Sequence, residues 1–262
     1  MSQMSNDNTT YLEVGTHRIA CLTTPGTRTD VPGLLWLSGF NSSMNGTKAT
    51  DLASWSGENG IAMTRFDYSG HGRSSGKFED GNISIWLEET RAVLDQMATG
   101  PQILIGSSMG GWLALLLAGE LNTKAPGRIA GLVLIAPAWD MTERLMWDTA
   151  SPDVRHEMQT KGVWYRPSQY DDDNYPITMQ LIEDGRKHLL GDGPVDTGCP
   201  VRILHGMADP DVPWQGSETL IERLATGDAR LTLVKGAGHR LSEPEDIRLL
   251  KGVISGLVHI GA

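Results

Sequence analysis

Cysteine is scarce in this chain. Its 262 residues hold two, Cys21 and Cys199, too few for a disulfide framework and in neither a C-x-x-C nor a zinc-ligand spacing. Both read as structural thiols. Basic charge is short as well: 22 Lys and Arg against 32 Asp and Glu give a net charge of -10. That balance offers no basic stripe to displace counterions from a nucleic acid, and it disfavours docking on an anionic membrane by charge alone. No apolar run approaches the ~20 residues that span a bilayer. The first ten residues lack a basic and an apolar region, and no arginine precedes Arg18. They form neither a secretory signal nor a good transit peptide, so the expected location is the cytoplasm. Internal repeats and low-complexity tracts are missing too, and Asp171-Asp172-Asp173 reads as a solvated loop.

What is present is an alternation. Apolar runs at Leu34–Leu37, Ala62–Asp67, Gln102–Ser107, Gly131–Ala136, Val201–His205 and Arg230–Val234 read as buried strands. Helical patterns follow most of them, at Thr47–Asn59, Ile83–Met97, Met109–Leu121, Gln215–Ala225 and Glu243 to about Val258. This rhythm predicts an α/β fold, a mostly parallel twisted sheet with helices on both faces. Tyr11–Val14 and His17–Leu22, turning at Gly15-Thr16, predict an antiparallel hairpin at its edge. Residues 138–198 break the rhythm. Helical pieces (Thr142–Asp148, Pro152–Lys161, Thr178–Leu190) accompany Trp139, Trp147, Trp164, Tyr165, Tyr170 and Tyr175. The expected organisation is a core of residues 1–137 and 199–262 with a small helical lid, 138–198, over the strand ends where open α/β sheets bind ligands.

The chemistry centres on Gly106-Ser107-Ser108-Met109-Gly110. A buried strand runs into a helix with no spacer, and glycines flank the serine because side chains there would collide with neighbouring backbone. Such a turn projects the Ser108 hydroxyl clear of the chain. A serine nucleophile needs a base, and the base an orienting carboxylate, in chain order Ser, Asp or Glu, His. Asp209 follows the strand ending at His205, and His239 follows the last strand in the glycine-rich turn Lys235–Arg240. Asp211 is the rival acid, His71 the rival base and Ser107 the rival nucleophile; His205 reads as a strand-end residue with a satisfied ring. The oxyanion donors are expected to be the backbone amides of Met109 and of Phe40, in the loop Ser38–Ser43.

Ser108, Asp209 and His239, with Arg65-Phe66-Asp67-Tyr68-Ser69-Gly70 after an early strand, resemble the α/β-hydrolase superfamily. More specifically, the chain is similar to the family of alpha/beta-hydrolase domain-containing protein ten, in the segments Met44–Ala49, Gly100–Leu104, Gly106–Leu113, Lys161–Trp164, Leu204–Met207 and Val212–Trp214. The resemblance runs from about Pro32 to the last helix. It implies the α/β-hydrolase fold, carries nucleophile, acid and base onto Ser108, Asp209 and His239, and implies acyl-protein thioesterase or acyl-glucuronide esterase chemistry. The animal members carry a mitochondrial targeting extension that is not seen here, so a cytoplasmic relative of bacterial type is expected. The reading is a serine hydrolase of acyl esters or thioesters, with a small-molecule or acyl-protein substrate and with no cofactor, metal, nucleic-acid partner or integral membrane segment. Carbon–carbon hydrolysis or perhydrolysis on the same triad is the alternative, as is a ligand-binding protein without turnover. Dehalogenase and epoxide-hydrolase chemistry would need an aspartate where Ser108 stands.

Overall fold

The computed structural model describes residues 8–167 and 174–260. Tyr170, Asp171-Asp172-Asp173 and the first seven residues lie outside the described residues. An eight-stranded sheet is built from β1 (Thr10–Val14), β2 (His17–Thr24), β3 (Gly33–Leu37), β4 (Met63–Phe66), β5 (Gln102–Ser107), β6 (Ile129–Ile135), β9 (Val201–Gly206) and β10 (Ala229–Val234). A separate two-stranded antiparallel sheet pairs β7 (Val163–Arg166) with β8 (Tyr175–Thr178). The helices are α1 (Thr47–Glu58), α2 (Ile83–Met97), α3 (Met109–Lys124), α4 (Pro152–Lys161), α5 (Met179–Gly185), α6 (Gln215–Arg223) and α7 (Pro244–Ile260).

The strand order is β1-β2-β4-β3-β5-β6-β9-β10. The first two strands run antiparallel and the other six parallel to one another. The central parallel strands are apolar on both sides because helices cover both. Leu35, Leu37, Leu104, Leu132 and Leu134 point to the face covered by α2, α3 and α6. Leu34, Trp36, Ile103, Ile105 and Val133 point to the face covered by α1 and α7. The chain leaves β3 toward β4 on one side and leaves β5 toward β6 on the other. The sheet therefore has its topological switch point between β3 and β5, where a crevice opens at the strands' C-terminal ends.

Local signals account for the elements. Gly15, at φ +57°, turns the first hairpin. The Asn82 side chain accepts from the Ile85 amide and starts α2, as Ser151 does for α4 through Val154. Helix α3 is apolar nearly all round because the sheet and neighbouring helices enclose it. Its approach to the sheet depends on glycine: a Cβ at Gly110 would stand 2.1 Å from the Leu37 carbonyl oxygen, and one at Gly106 would stand 2.4 Å from the Gly110 oxygen. Gly110→Ala forces two backbones apart and is expected to cost roughly 3 kcal/mol. The check is the urea midpoint, which falls; an unchanged midpoint would show that α3 and β3 are not pressed together.

The segment 138–198 differs from the expected helical lid. It contains a π-helical turn at Thr142–Trp147, α4, the β7–β8 hairpin, α5 and a 3-10 turn at Arg186–His188. The hairpin escapes a periodicity reading because each strand has four residues and β8 carries Pro176. The single helix expected over Thr178–Leu190 is split, with Thr178 as the cap of α5 rather than its first residue.

Candidate active site

Ser108 sits between β5 and α3 at φ 55° and ψ -116°, a conformation that non-glycine residues rarely adopt. The surroundings hold it there. Its amide donates to the Ile135 carbonyl (2.8 Å), and its own carbonyl accepts from Gly111 (2.9 Å) and Ala138 (3.1 Å). Strain held by surrounding bonds is typical of functional positions. The turn aims the hydroxyl at His239, whose Nε2 lies 3.1 Å from Ser108 Oγ. On the other side of the ring, His239 Nδ1 lies 2.7 Å from Asp209 Oδ2. With Asp209 accepting at Nδ1–H, Nε2 is left free to accept from the serine hydroxyl. Residues distant in the chain, on turns after β5, β9 and β10, meet on one rim of the sheet.

The Asp209 side chain is fully buried and surrounded by donors. Its Oδ1 accepts from the Asp211 and Val212 amides at 2.8 and 2.9 Å. Its Oδ2 faces both His239 and His205 Nε2, the latter at 3.1 Å. Burial alone would raise the proton affinity of this carboxyl, but the hydrogen bonds from His205 and His239 outweigh it and hold Asp209 below the usual carboxylate range. His205 is itself buried, with Nε2 also 3.0 Å from the Val212 carbonyl and Nδ1 2.7 Å from Ser217 Oγ. The ring is satisfied, as expected. Its contact with Asp209 is what the sequence did not disclose, although a histidine four residues before the acid, across a strand-end turn, was the available signal.

The rivals are elsewhere or otherwise engaged. Asp211 presents its amide to Asp209, while the acid bonded to His239 Nδ1 is Asp209. Buried His71 has Nδ1 3.0 Å from the Ser69 carbonyl, and its Nε2 accepts from the Asn41 amide at 3.3 Å. Burial pushes its pKa down to about 4, so the ring is neutral at ordinary pH and keeps that acceptor. His71 thus holds the loop after β3, where Asn41 has φ 53°. In that loop Phe40 lines the same cavity as Ser108 and His239, and a Cβ on Gly39 would be 3.3 Å from Ser108 Cβ. Met109 follows Ser108 as the first residue of α3 and is buried. A second gathering of serine, histidine and aspartate has a different geometry. Ser84 Oγ meets both Asp184 Oδ1 (2.8 Å) and His188 Nε2 (2.7 Å), and it ties α2 to the insertion instead of forming a relay.

The cavity around Ser108 measures about 210 Å³. Its apolar wall includes Met141, Leu145, Met146 and Val212. Among the aromatic residues expected to face it from the insertion, Tyr175 does so, stacked edge-on against Phe40 at 5.8 Å. Trp139 instead bonds the Gly216 carbonyl and packs under Arg144, and Trp147 packs against Arg155 and Arg186. Burial raises the thiols of Cys21 and Cys199 to about 12 and about 11, so neither is a thiolate near neutral pH. Among the described residues one group has metal-ligand proximity, Asp209, Asp211 and His239, with candidate ligand atoms within 4.8 Å of one another. A cation there would compete with the hydrogen bond between His239 and Asp209.

Comparison with known proteins places the chain in a family. The model of the serine aminopeptidase, S33, family matches residues 33–187. Human palmitoyl-protein thioesterase ABHD10, a mitochondrial protein, is 36% identical over 228 residues, covering 87% of this chain and 73% of the relative. A putative hydrolase from Agrobacterium vitis superposes with a TM-score of 0.90 at 42% identity, over 95% of this chain and 97% of that one. Mouse alpha/beta hydrolase domain-containing protein 10 superposes with a TM-score of 0.87 at 34% identity, over 97% and 99%. Fold and site together define a serine hydrolase of the α/β-hydrolase class. Within that class, the chain belongs to the ABHD10 family of the S33-type hydrolases.

One expectation is overturned by these relatives. The chain was expected in the cytoplasm, but curated relatives with 36–37% identity are mitochondrial proteins. The cytoplasmic expectation does not stand against them. The polar opening of the sequence is no positive sign of the cytoplasm. Among the described residues, no helix is long and apolar enough to cross a membrane.

Proposed function

We propose that this hydrolase cleaves acyl thioesters and oxyesters through an acyl-enzyme on Ser108. His239 takes the hydroxyl proton as Ser108 attacks the acyl carbonyl, and Asp209 keeps the imidazole in the required tautomer and stabilises the imidazolium. The amides of Phe40 and Met109 receive the oxyanion; each such donor is worth about 3–4 kcal/mol in related enzymes. His239 then protonates the departing thiol or alcohol and activates the water that releases the acid. Residues 138–198 serve as a lid, with Met141, Leu145 and Met146 receiving the acyl chain. The observation that carries this reading is the continuous chain from Ser108 Oγ through His239 to Asp209, at 3.1 and 2.7 Å. That the human relative is named a palmitoyl-protein thioesterase supports S-acyl substrates.

The test is a substrate panel: oxyesters, thioesters and acyl-glucuronides of graded acyl length, with the matching amides. Turnover of the thioesters and oxyesters should rise with chain length as the methylenes enter the apolar wall, each contributing up to about 0.8 kcal/mol. Turnover of none of these esters would reject the proposal. A flat dependence on chain length would reject the assignment of the acyl side.

A further inference from the structure

A second cavity, about 270 Å³, adjoins the one that holds Ser108. The two share Gly39, Ser42, Lys48, Ser107 and Arg240. The second differs in chemistry from the apolar wall of the first. Serine and threonine residues make up much of its lining, with Trp36 and Ala49 and the cations Lys48 and Arg240. Among the described residues no carboxylate lines it, in a chain where acids outnumber bases by 32 to 22. Helix α1 begins at this wall. Gly46 caps it without a side chain, and its first turn carries no acidic residue, so the positive end of the helix is not neutralised from within.

Lys48 and Arg240 are tied together through the backbone of Arg240. The Lys48 ammonium donates to the Arg240 backbone carbonyl, which fixes it beside the residue that follows His239. Burial, and then the charge of Arg240, push the Lys48 pKa down to about 8, and the Asp246 carboxylate offsets only part of this. A half-buried ammonium and an exposed guanidinium on the walls of one cavity can both make charge-assisted hydrogen bonds to an anion.

We propose that Lys48 and Arg240 form a subsite for an anion carried by the leaving group, a carboxylate or phosphate a few bonds from the departing sulfur or oxygen. The proposal rests on Ser108 being the nucleophile. The acyl chain lies against Met141, Leu145 and Met146, which line only the first cavity, while the leaving group extends past Ser42 toward the cations that line both. In the first half-reaction the bond from Ser108 Oγ to the acyl carbon forms and the bond from that carbon to sulfur or oxygen breaks. The proton held by His239 goes to the departing atom, and the anionic product leaves the cationic cavity. Water, with its proton passed to His239, then cleaves the acyl-enzyme.

The experiment compares kcat/KM for one octanoyl chain on four thiols: 3-mercaptopropionate, 2-mercaptoethyl phosphate, neutral 2-mercaptoethanol and cationic thiocholine. The wild-type protein should prefer at least one anionic leaving group over the neutral one by roughly tenfold at low salt, as expected for charge-assisted contacts, and less at high salt. Which of the two is preferred separates carboxylate from phosphate. Lys48→Met with Arg240→Met should bring the ratio close to one and raise the relative rate on thiocholine. Because Lys48 also holds the Arg240 carbonyl, Lys48→Arg is measured alongside, and it should retain the preference. No anionic preference in the wild-type protein, or an unchanged ratio in the double variant, would overturn the subsite. Turnover of the neutral thioester reports separately on Ser108, so failure of the subsite and failure of the nucleophile are distinguishable.

Discussion

Ser108→Ala is expected to lower kcat on a thioester or oxyester by at least about 10⁴-fold, leaving the residual rate that binding and oxyanion donors alone support. The size follows from what is removed. Without the hydroxyl there is no atom for His239 Nε2 to activate, and the covalent route is lost. The fold should survive. The Ser108 side chain makes no capping bond to α3, and the turn is held by the Ser108 backbone bonds to Ile135, Gly111 and Ala138. Steady-state rates and a thermal melt of the same preparation check both halves. Loss of activity with an unchanged melt supports the nucleophile, whereas retained activity would move the chemistry to another residue, Ser107 first.

Asp209→Asn is expected to cost about 10⁴-fold in kcat, as the same change does in other serine hydrolase triads. The reason here is specific. All four polar neighbours of the carboxylate, the Asp211 and Val212 amides, His205 Nε2 and His239 Nδ1, point donors at it. An amide in its place must turn its NH2 group toward at least one of them, which leaves buried donors facing each other and frees His239 to adopt the wrong tautomer. Stability should fall as well, by about 1–3 kcal/mol per donor left unpaired. The pH dependence has a definite sign. The folded protein holds the Asp209 carboxyl below its ordinary value of 3.8, so the wild-type protein has this stabilisation above that value and loses it as the pH falls further. The Asn variant lacks this acid-range dependence. Urea midpoints from pH 2 to pH 7 read it directly; parallel profiles for the two proteins would contradict the picture of a donor-saturated carboxylate.

Much of this was legible in the chain because it rests on local chemistry. The central strands β3, β5 and β6 are nearly continuous apolar runs, since helices cover both faces, and α2 begins where Asn82 can cap it. Gly106 and Gly110 mark the turn because no side chain fits between α3 and β3. Ser108, Asp209 and His239 each follow a strand, so their meeting on one rim followed from a parallel sheet. What depended on long-range packing was hidden. The β7–β8 hairpin is too short to show a period, and Trp139 and Trp147 pack against arginines instead of lining the cavity. The approach of Lys48 to Arg240, 192 positions apart, leaves no mark in either neighbourhood. His205 could be read as satisfied, but not as a partner of the acid.

The central claim is that Ser108 is the acylated residue. The direct measurement is mass spectrometry of the protein after reaction with a fluorophosphonate, followed by peptide mapping. A single adduct on Ser108, lost in Ser108→Ala and strongly slowed in His239→Ala, is the predicted result. No adduct would leave a ligand-binding protein that has kept the fold without turnover, and an adduct on Ser107 or any other residue would contradict the assignment outright.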